Sequence, residues 1–291
     1  MQPVVTYYNL FQPILTMFDT HAHLNFKRFA KTLDDVLRLS HLSGVKYIVV
    51  PGTDEESSQK AVEIASRDES VFAAVGIHPH HVFLAHTEFT SRLQFIENFL
   101  QEKKVLAVGE IGLDKHVYED TKYQNYHIDE MFFNLQKEFL IKQLQLAKNY
   151  KKSVILHNRE AKNDLLGLLN EHWEEYFRGR IVFHCCEPEE ELLGFAKNHD
   201  IFIGVDGDIT YDSPPGRKKQ EFIMRVPQEH LVLETDSPFL LPEPLRSQKQ
   251  YPNTPVNLPI IAEFVAKLRG ESIEDLVKIT TENALRLFNI H

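Results

Sequence analysis

Short apolar runs recur along the chain, each ending in polar residues and each followed by a segment whose apolar positions fall at helical spacing. Eight runs read as strands: Ile14 to Asp19, Val45 to Val50, Val71 to Ile77, Val105 to Glu110, Ser153 to His157, Ile181 to His184, Ile201 to Val205 and Leu231 to Asp236. The segments between them carry helix signals. Asp34 to Ser43 stops at Gly44, Thr53 with Glu56 reads as a capping box, and Glu187-Pro188-Glu189 places Pro and acids in a first turn. Phe132 to Tyr150 is the longest helical candidate. Strand-to-strand steps of roughly 30 residues match a β-helix-β unit. This alternation predicts a parallel sheet covered by helices, and eight units predict a single (β/α)8 barrel of the TIM type. An open doubly wound sheet is the alternative, and no G-x-G-x-x-G follows the first strand to support it.

Composition narrows the class. The 291 residues fit one α/β barrel, and 43% apolar with 25% charged residues supply a full core and argue against disorder. No stretch approaches the roughly 18 apolar residues that span a bilayer. Residues 1–16 hold no Lys or Arg, so a secretory leader is not expected. The two cysteines, Cys185 and Cys186, are neighbours, which fits neither a disulfide framework nor a C-x-x-C metal pattern and points to a reducing cytoplasm. A net charge of −10 argues against a broad basic surface for nucleic acid, so any phosphate must be held locally.

In a barrel the chemistry collects at the C-terminal ends of the strands, where the βα loops converge. Seven of the eight predicted ends carry a carboxylate or imidazole: Asp19, His21 and His23; His78; Glu110; His157; His184; Asp206 and Asp208; Asp236. Only the second ends blandly, in Pro51-Gly52-Thr53. Alone, the His21-x-His23 pair says little, although period-2 geometry turns both imidazoles to one side. Glu110, His157 and His184 each close an apolar strand, where a lone buried carboxylate needs a partner or a cation. Asp236 is placed to ligate metal, to orient water, or to cap the turn before Pro238. Glu234, two residues deeper, reads as supporting structure. Four imidazoles and two carboxylates suit two divalent ions, with Glu110 bridging and positions left open for water.

These residues are also familiar as a set. Phe18-Asp19-Thr20-His21-Ala22-His23-Leu24, Gly76-Ile77-His78-Pro79-His80, Gly109-Glu110-Ile111-Gly112-Leu113-Asp114, His157-Asn158-Arg159, Phe183-His184-Cys185 and Glu234-Thr235-Asp236-Ser237-Pro238-Phe239-Leu240 together resemble the TatD family of metal-dependent deoxyribonucleases, within the amidohydrolase superfamily. The matches run from about Met17 to Phe288, which leaves residues 1–16 as an N-terminal extension or an over-long start. The resemblance implies phosphodiester hydrolysis, often exonucleolytic on DNA, by two divalent metals at the strand ends. Carried over by position, His21, His23, Glu110, His157, His184 and Asp236 are the implied ligands, and Asp236 is also the implied proton acceptor for the attacking water. Nitrogen and oxygen donors of this kind accept Mg, Mn, Zn or Ni. Arg159 and His78 are expected on the substrate side, Arg159 as a phosphate clamp or a helix-start ion pair. No obligate protein partner is evident.

The chain departs from the family pattern in two places. After strand six it reads His184-Cys185-Cys186-Glu187-Pro188, which puts Glu187 where a nucleic acid would pass. After strand eight, Asn253-Thr254-Pro255 stands for an Asn-Glu-Pro motif, preceded by a Pro-rich stretch with Arg246 and Lys249. The loop from Asp114 to Glu130 is long and holds His116, Tyr118, Tyr123, Tyr126 and His127, which either stack on an extruded base or cover the barrel rim. Arg217, Lys218 and Lys219 either contact backbone phosphates or form a solvated face. A deacylase acting on an ester or amide, such as an aminoacyl-tRNA, would use the same centre and is the competing activity. A non-catalytic scaffold predicts missing ligands, whereas all six positions are filled here.

Overall fold

The structure, a computed structural model, describes residues 15–83 and 88–290. Eight strands form one sheet in chain order: β1 Met17–Asp19, β2 Val45–Pro51, β3 Val71–Val75, β4 Val105–Asp114, β5 Ser153–Arg159, β6 Ile181–Phe183, β7 Phe202–Val205 and β8 Leu231–Leu233. Neighbours pair in parallel throughout. Hydrogen bonds draw the first and last strands together: Thr20 N–H donates to Leu233 O at 3.1 Å, Asp236 N–H to His21 O at 2.9 Å and His23 N–H to Ser237 O at 2.7 Å. Around the sheet run α1 Leu33–Leu42, α2 Glu55–Arg67, α3 Phe89–Glu97, α4 Glu130–Asn149, α5 Lys162–Glu171, α6 Glu190–His199, α7 Pro214–Ile223, α8 Leu258–Arg269 and α9 Ile273–Phe288. The predicted (β/α)8 barrel is the observed fold.

Each strand gives one residue to an interior layer: Phe18, Val49, Ala74, Ala107, Ile155, Val182, Phe202 and Val232. Ala284, Leu287 and Phe288 of α9 pack against this layer and close that end of the barrel. A second, larger apolar layer lies between strands and helices. Fully burying such side chains contributes roughly 1.5–3 kcal/mol each, so the apolar plug fixes the barrel and leaves the other end for polar groups. Side chains alternate along a strand, so the positions two and four beyond the plug also turn inward. That parity runs from Ile155 to His157, Val182 to His184, Ala74 to His78, and Val232 through Glu234 to Asp236.

Several boundaries differ from those predicted. β4 continues past Glu110 to Asp114, because Ile111 and Leu113 are buried and paired with β5, which itself runs on to Arg159. The α2 cap is one residue later than expected: Asp54, not Thr53, accepts the Ser57 N–H at 3.0 Å, and Ser57, not Glu56, returns to the Asp54 N–H. Pro188 precedes α6, which begins at Glu190. Gly44 follows α1 with φ 94°, the left-handed stop expected of it. The predicted extension lies outside the described residues up to Ile14. Among the described residues no helix is long and apolar enough to cross a membrane.

Candidate metal centre

Glu110 sits at the middle of the strand ends. Strict alternation from Ala107 would turn Gly109 inward, but the β4–β5 register shifts between Val108 and Ile111, and Glu110 follows that irregularity. Its two carboxylate oxygens face different imidazoles. Oε2 lies 3.5 Å from Nε2 of both His21 and His23, while Oε1 lies 2.9 Å from His157 Nδ1 and 3.5 Å from His78 Nε2. Asp236 Oδ1 stands 3.9 Å from His21 Nε2, 3.6 Å from His23 Nε2 and 3.8 Å from His184 Nε2. His184 joins the group through Asp236 and by stacking on His21, with centroids 3.4 Å apart. All six predicted ligand positions therefore meet at one mouth.

A further set of groups orients these side chains. Asp114 Oδ2 lies 3.0 Å from His157 Nε2, leaving Nδ1 for the Glu110 side. Asp114 is itself held by the Tyr118 hydroxyl and the His116 N–H, each at 2.7 Å. Gly112, in register with His157 at φ 152°, makes room for this: a side chain there would collide with the His157 carbonyl. Glu234 Oε1 lies 2.9 Å from His184 Nδ1 and accepts the Cys185 N–H at 2.7 Å. Gly204 leaves room for this carboxylate, since a Cβ there would press on Glu234 and shift it. Asp19 turns away from the imidazoles and ties β1 to β8, accepting from Thr235 N–H at 3.0 Å and the Thr235 hydroxyl at 2.6 Å. Asp236 and Cys185 hold left-handed backbones, φ 51° and 44°, a strain that clusters at functional sites.

The electrostatics suit a cation. Burial alone would push Glu110 up, but His78, His157, His21 and His23 hold its carboxyl well below the usual range. Burial raises Asp236 far above a normal carboxylate, with His184 opposing and Glu110 adding to the rise. Two carboxyls this close do not both ionise without positive charge between them. Burial opposes a proton on His157 and His184, yet Asp114 and Glu110 carry the first up to about 9 and Glu234 the second up to about 10. Burial and His184 hold His21 neutral, and its buried Nδ1 has no hydrogen-bond partner among the described residues. His21, His23 and Asp236 can gather on one ion, as can His78, Asp114 and His157. Protons and metal compete for these donors, so metal uptake would release protons.

The centre opens into a cavity of about 1100 Å³. His78 lines it, as does Arg159, whose guanidinium has no carboxylate within 4.0 Å among the described residues and touches only Tyr118, by a 3.2 Å hydrogen bond and by its ring. The helix-start ion pair considered for Arg159 is absent there. The other cation cluster is spent on carboxylates: Arg217 pairs with Asp212, Lys218 with Glu189, and buried Lys219 with Asp206 at 3.2 Å and Asp208 at 2.5 Å. Glu187 is held by the Asn158 amide and the Glu160 N–H. Arg246 pairs with Glu243, and Asn253 is buried, donating to Thr235 O at 2.8 Å and Leu240 O at 3.3 Å to brace the β8 loop. Of the long-loop aromatics, Tyr123 and Tyr126 pack on the core with Phe83, covering the rim, whereas Tyr118 reaches the cavity.

Three residues here were given no role at the site by the sequence reading. Asp114 had a signal, since positions 110, 112 and 114 share one strand face once β4 is extended. Phe26 and Phe239 line the cavity beside His23 and Asp236, and their adjacency follows only from the β1–β8 closure.

A family model described as TatD related DNase matches residues 18–289. The chain is 32% identical over 275 residues to a Bacillus subtilis protein named uncharacterized metal-dependent hydrolase YabD, covering 94% of this chain and 100% of the relative. It is 31% identical over 277 residues to the Escherichia coli 3'-5' ssDNA/RNA exonuclease TatD, covering 94% and 99%. Its fold is similar to that of the solved E. coli TatD homologue YJJV, with TM-score 0.81, 28% identity and coverage of 96% and 100%.

Proposed function

The chain belongs to the TatD-related DNase family and is a metal-dependent hydrolase acting on ester bonds, and from that premise we propose that it is a deoxyribonuclease of the 3'-5' exonuclease type, using two divalent ions. The observation that carries this reading is the divided carboxylate of Glu110, with His21 and His23 on one oxygen and His157 and His78 on the other, facing a cavity that holds a guanidinium with no carboxylate partner among the described residues.

His21, His23 and Asp236 would hold one ion and His157 and His184 the other, with Glu110 between. Bound there, divalent ions supply Lewis acidity and lower the pKa of water toward neutrality. Asp236, which lines the cavity, takes the proton of the attacking water on its carboxylate. Arg159 grips the non-bridging oxygens of a phosphate, the bidentate contact for which a guanidinium is built. His78, at the edge of the centre, contacts the same phosphate. An aqueous cavity at one mouth, and not a basic surface, binds the nucleic acid, in keeping with the net charge of −10.

The test is a 5'-labelled single-stranded DNA offered to protein loaded with Mg, Mn, Zn or Ni, beside a panel of acyl esters. Stepwise shortening from the 3' end with no ester cleavage is the expected result. Ester cleavage alone, or no nuclease activity with any of the four ions, overturns the proposal.

A further inference from the structure

We propose that Phe239, with Phe26 at its side, is a stacking platform for the nucleobase adjoining the scissile phosphate, an inference that rests on the phosphodiesterase reading of the same cavity. Phe239 is 50% exposed, and among the described residues it is the one large exposed hydrophobic side chain that lines the cavity. It lies three residues beyond Asp236. Its ring meets its aromatic neighbours only at steep angles, His23 at 6.3 Å and 72° and Phe26 at 6.1 Å and 76°. No ring stacks on it among the described residues. Phe26 differs: one of its faces is covered by His23, stacked at 4.5 Å and 16°.

The exposure is built, not slack. Phe239 N–H donates to Asp236 O at 2.8 Å, and Asn253 N–H donates to Pro238 O at 3.1 Å. The Asn253 amide holds Thr235 and Leu240 on either side. Asp236 and Leu240, φ 51° and 46°, keep left-handed backbones that β-carbons disfavour. A chain that maintains strain on both sides of an outward phenyl is holding that ring in place. Phe239 and Phe26 together give an otherwise polar cavity an apolar corner, the kind of lining on which the apolar body of a ligand rests. Arg159 lines the same cavity, which suits an occupant that combines an anion with a flat apolar body. A nucleotide does so; an aliphatic phosphoester or acyl ester does not.

The experiment uses metal-loaded full-length protein and a single-stranded oligonucleotide with 2-aminopurine as its 3'-terminal base and phosphorothioate linkages that resist cleavage. Binding to the wild type should quench the 2-aminopurine. Phe239→Ala should abolish the quench and weaken binding roughly tenfold or more, and Phe239→Trp should restore both. On cleavable substrates, Phe239→Ala should lower kcat/KM for normal DNA but leave an oligonucleotide with abasic 3' ends within about twofold of wild type, a split that a merely structural role would not give. A wild type that binds and cuts DNA while Phe239→Ala is indifferent overturns this inference and leaves the proposed function standing. A wild type that neither binds nor cuts DNA overturns both.

Discussion

Two walls of the cavity look alike in sequence and behave differently in the fold. One comes from the loop after β4 and the end of β5 and carries Tyr118 and Arg159; the other comes from the loops after β6 and β7 and from α7 and carries Glu187, Asp208, Lys218 and Lys219. Each offers cations beside the metal centre. On the second wall each of Arg217, Lys218 and Lys219 is answered by a carboxylate, whereas on the first Arg159 has only a phenol and its ring. Counting charges along a chain measures what is present; pairing decides what is available to a ligand.

The largest break in this contrast should come from Lys219. Burial penalises its ammonium, and Asp206 with Asp208 more than offsets that, holding the proton on far above a normal lysine. Lys219→Met would leave the buried Asp206 carboxylate, with the half-buried Asp208 beside it, without a cation, so a loss of about 3 kcal/mol is expected in urea unfolding. Lys218→Met, whose partner Glu189 is near the surface, should stay within about 0.5 kcal/mol. Equal effects would mean the second wall is not organised around the buried lysine.

On the first wall the corresponding break is at Asp114. Burial opposes its charge, but His157 at 3.0 Å and the Tyr118 hydroxyl keep its carboxyl down at about 2, so it accepts a proton bond from His157 across the working pH range. Asp114→Asn should weaken metal binding by about 10–100-fold in calorimetry, and Asp114→Glu should recover part of it. Unaltered metal affinity would detach this wall from the centre. A smaller effect separates the two walls directly. Arg159→Ala should cost about tenfold in kcat/KM on single-stranded DNA and flatten the salt dependence, against less than about twofold for Lys218→Ala.

How far such features can be read before folding depends on the range of the interaction. The barrel and the six converging donors were legible because period-2 alternation projects His157, His184 and Asp236 from the same strand faces that bury Ile155, Val182 and Val232. Glu110 was legible as a strand-end residue, but the register shift that turns it inward was not. Strand ends were the weakest part: placing the end of β4 at Glu110 hid Asp114, although the two share a face. The fates of Lys219 and Tyr126 could not be read, since the β7–α7 turn that folds Lys219 back onto Asp206 and Asp208, and the packing of Tyr126 on Phe83 and Phe132, follow from loop conformations that no periodic pattern encodes. Phe239 follows the same rule, being next to Phe26 only because β8 returns to β1.

The smallest expected effect concerns the packing of the first wall itself. His80 stands among Tyr118, Tyr123 and Tyr126, with Nε2 2.9 Å from the Thr121 hydroxyl and a buried Nδ1 that has no partner among the described residues. Burial, reinforced by His78, lowers its pKa from 6.5 to about 4, with Asp114 opposing. The folded state thus keeps His80 neutral while the unfolded chain protonates it near 6.5. Its contribution to stability is complete above that pH and is lost as the pH falls toward 4. Other groups titrate in the same window, so the informative quantity is a difference in slope. Between pH 7 and pH 4.5 the Tm of His80→Gln should fall less than that of the wild type, by about 2 °C. Identical slopes would show that water already reaches His80, and that the rings of this wall are open enough to receive a base themselves. In that case the distinction between a covered tyrosine cluster and an uncovered Phe239 would lose its basis.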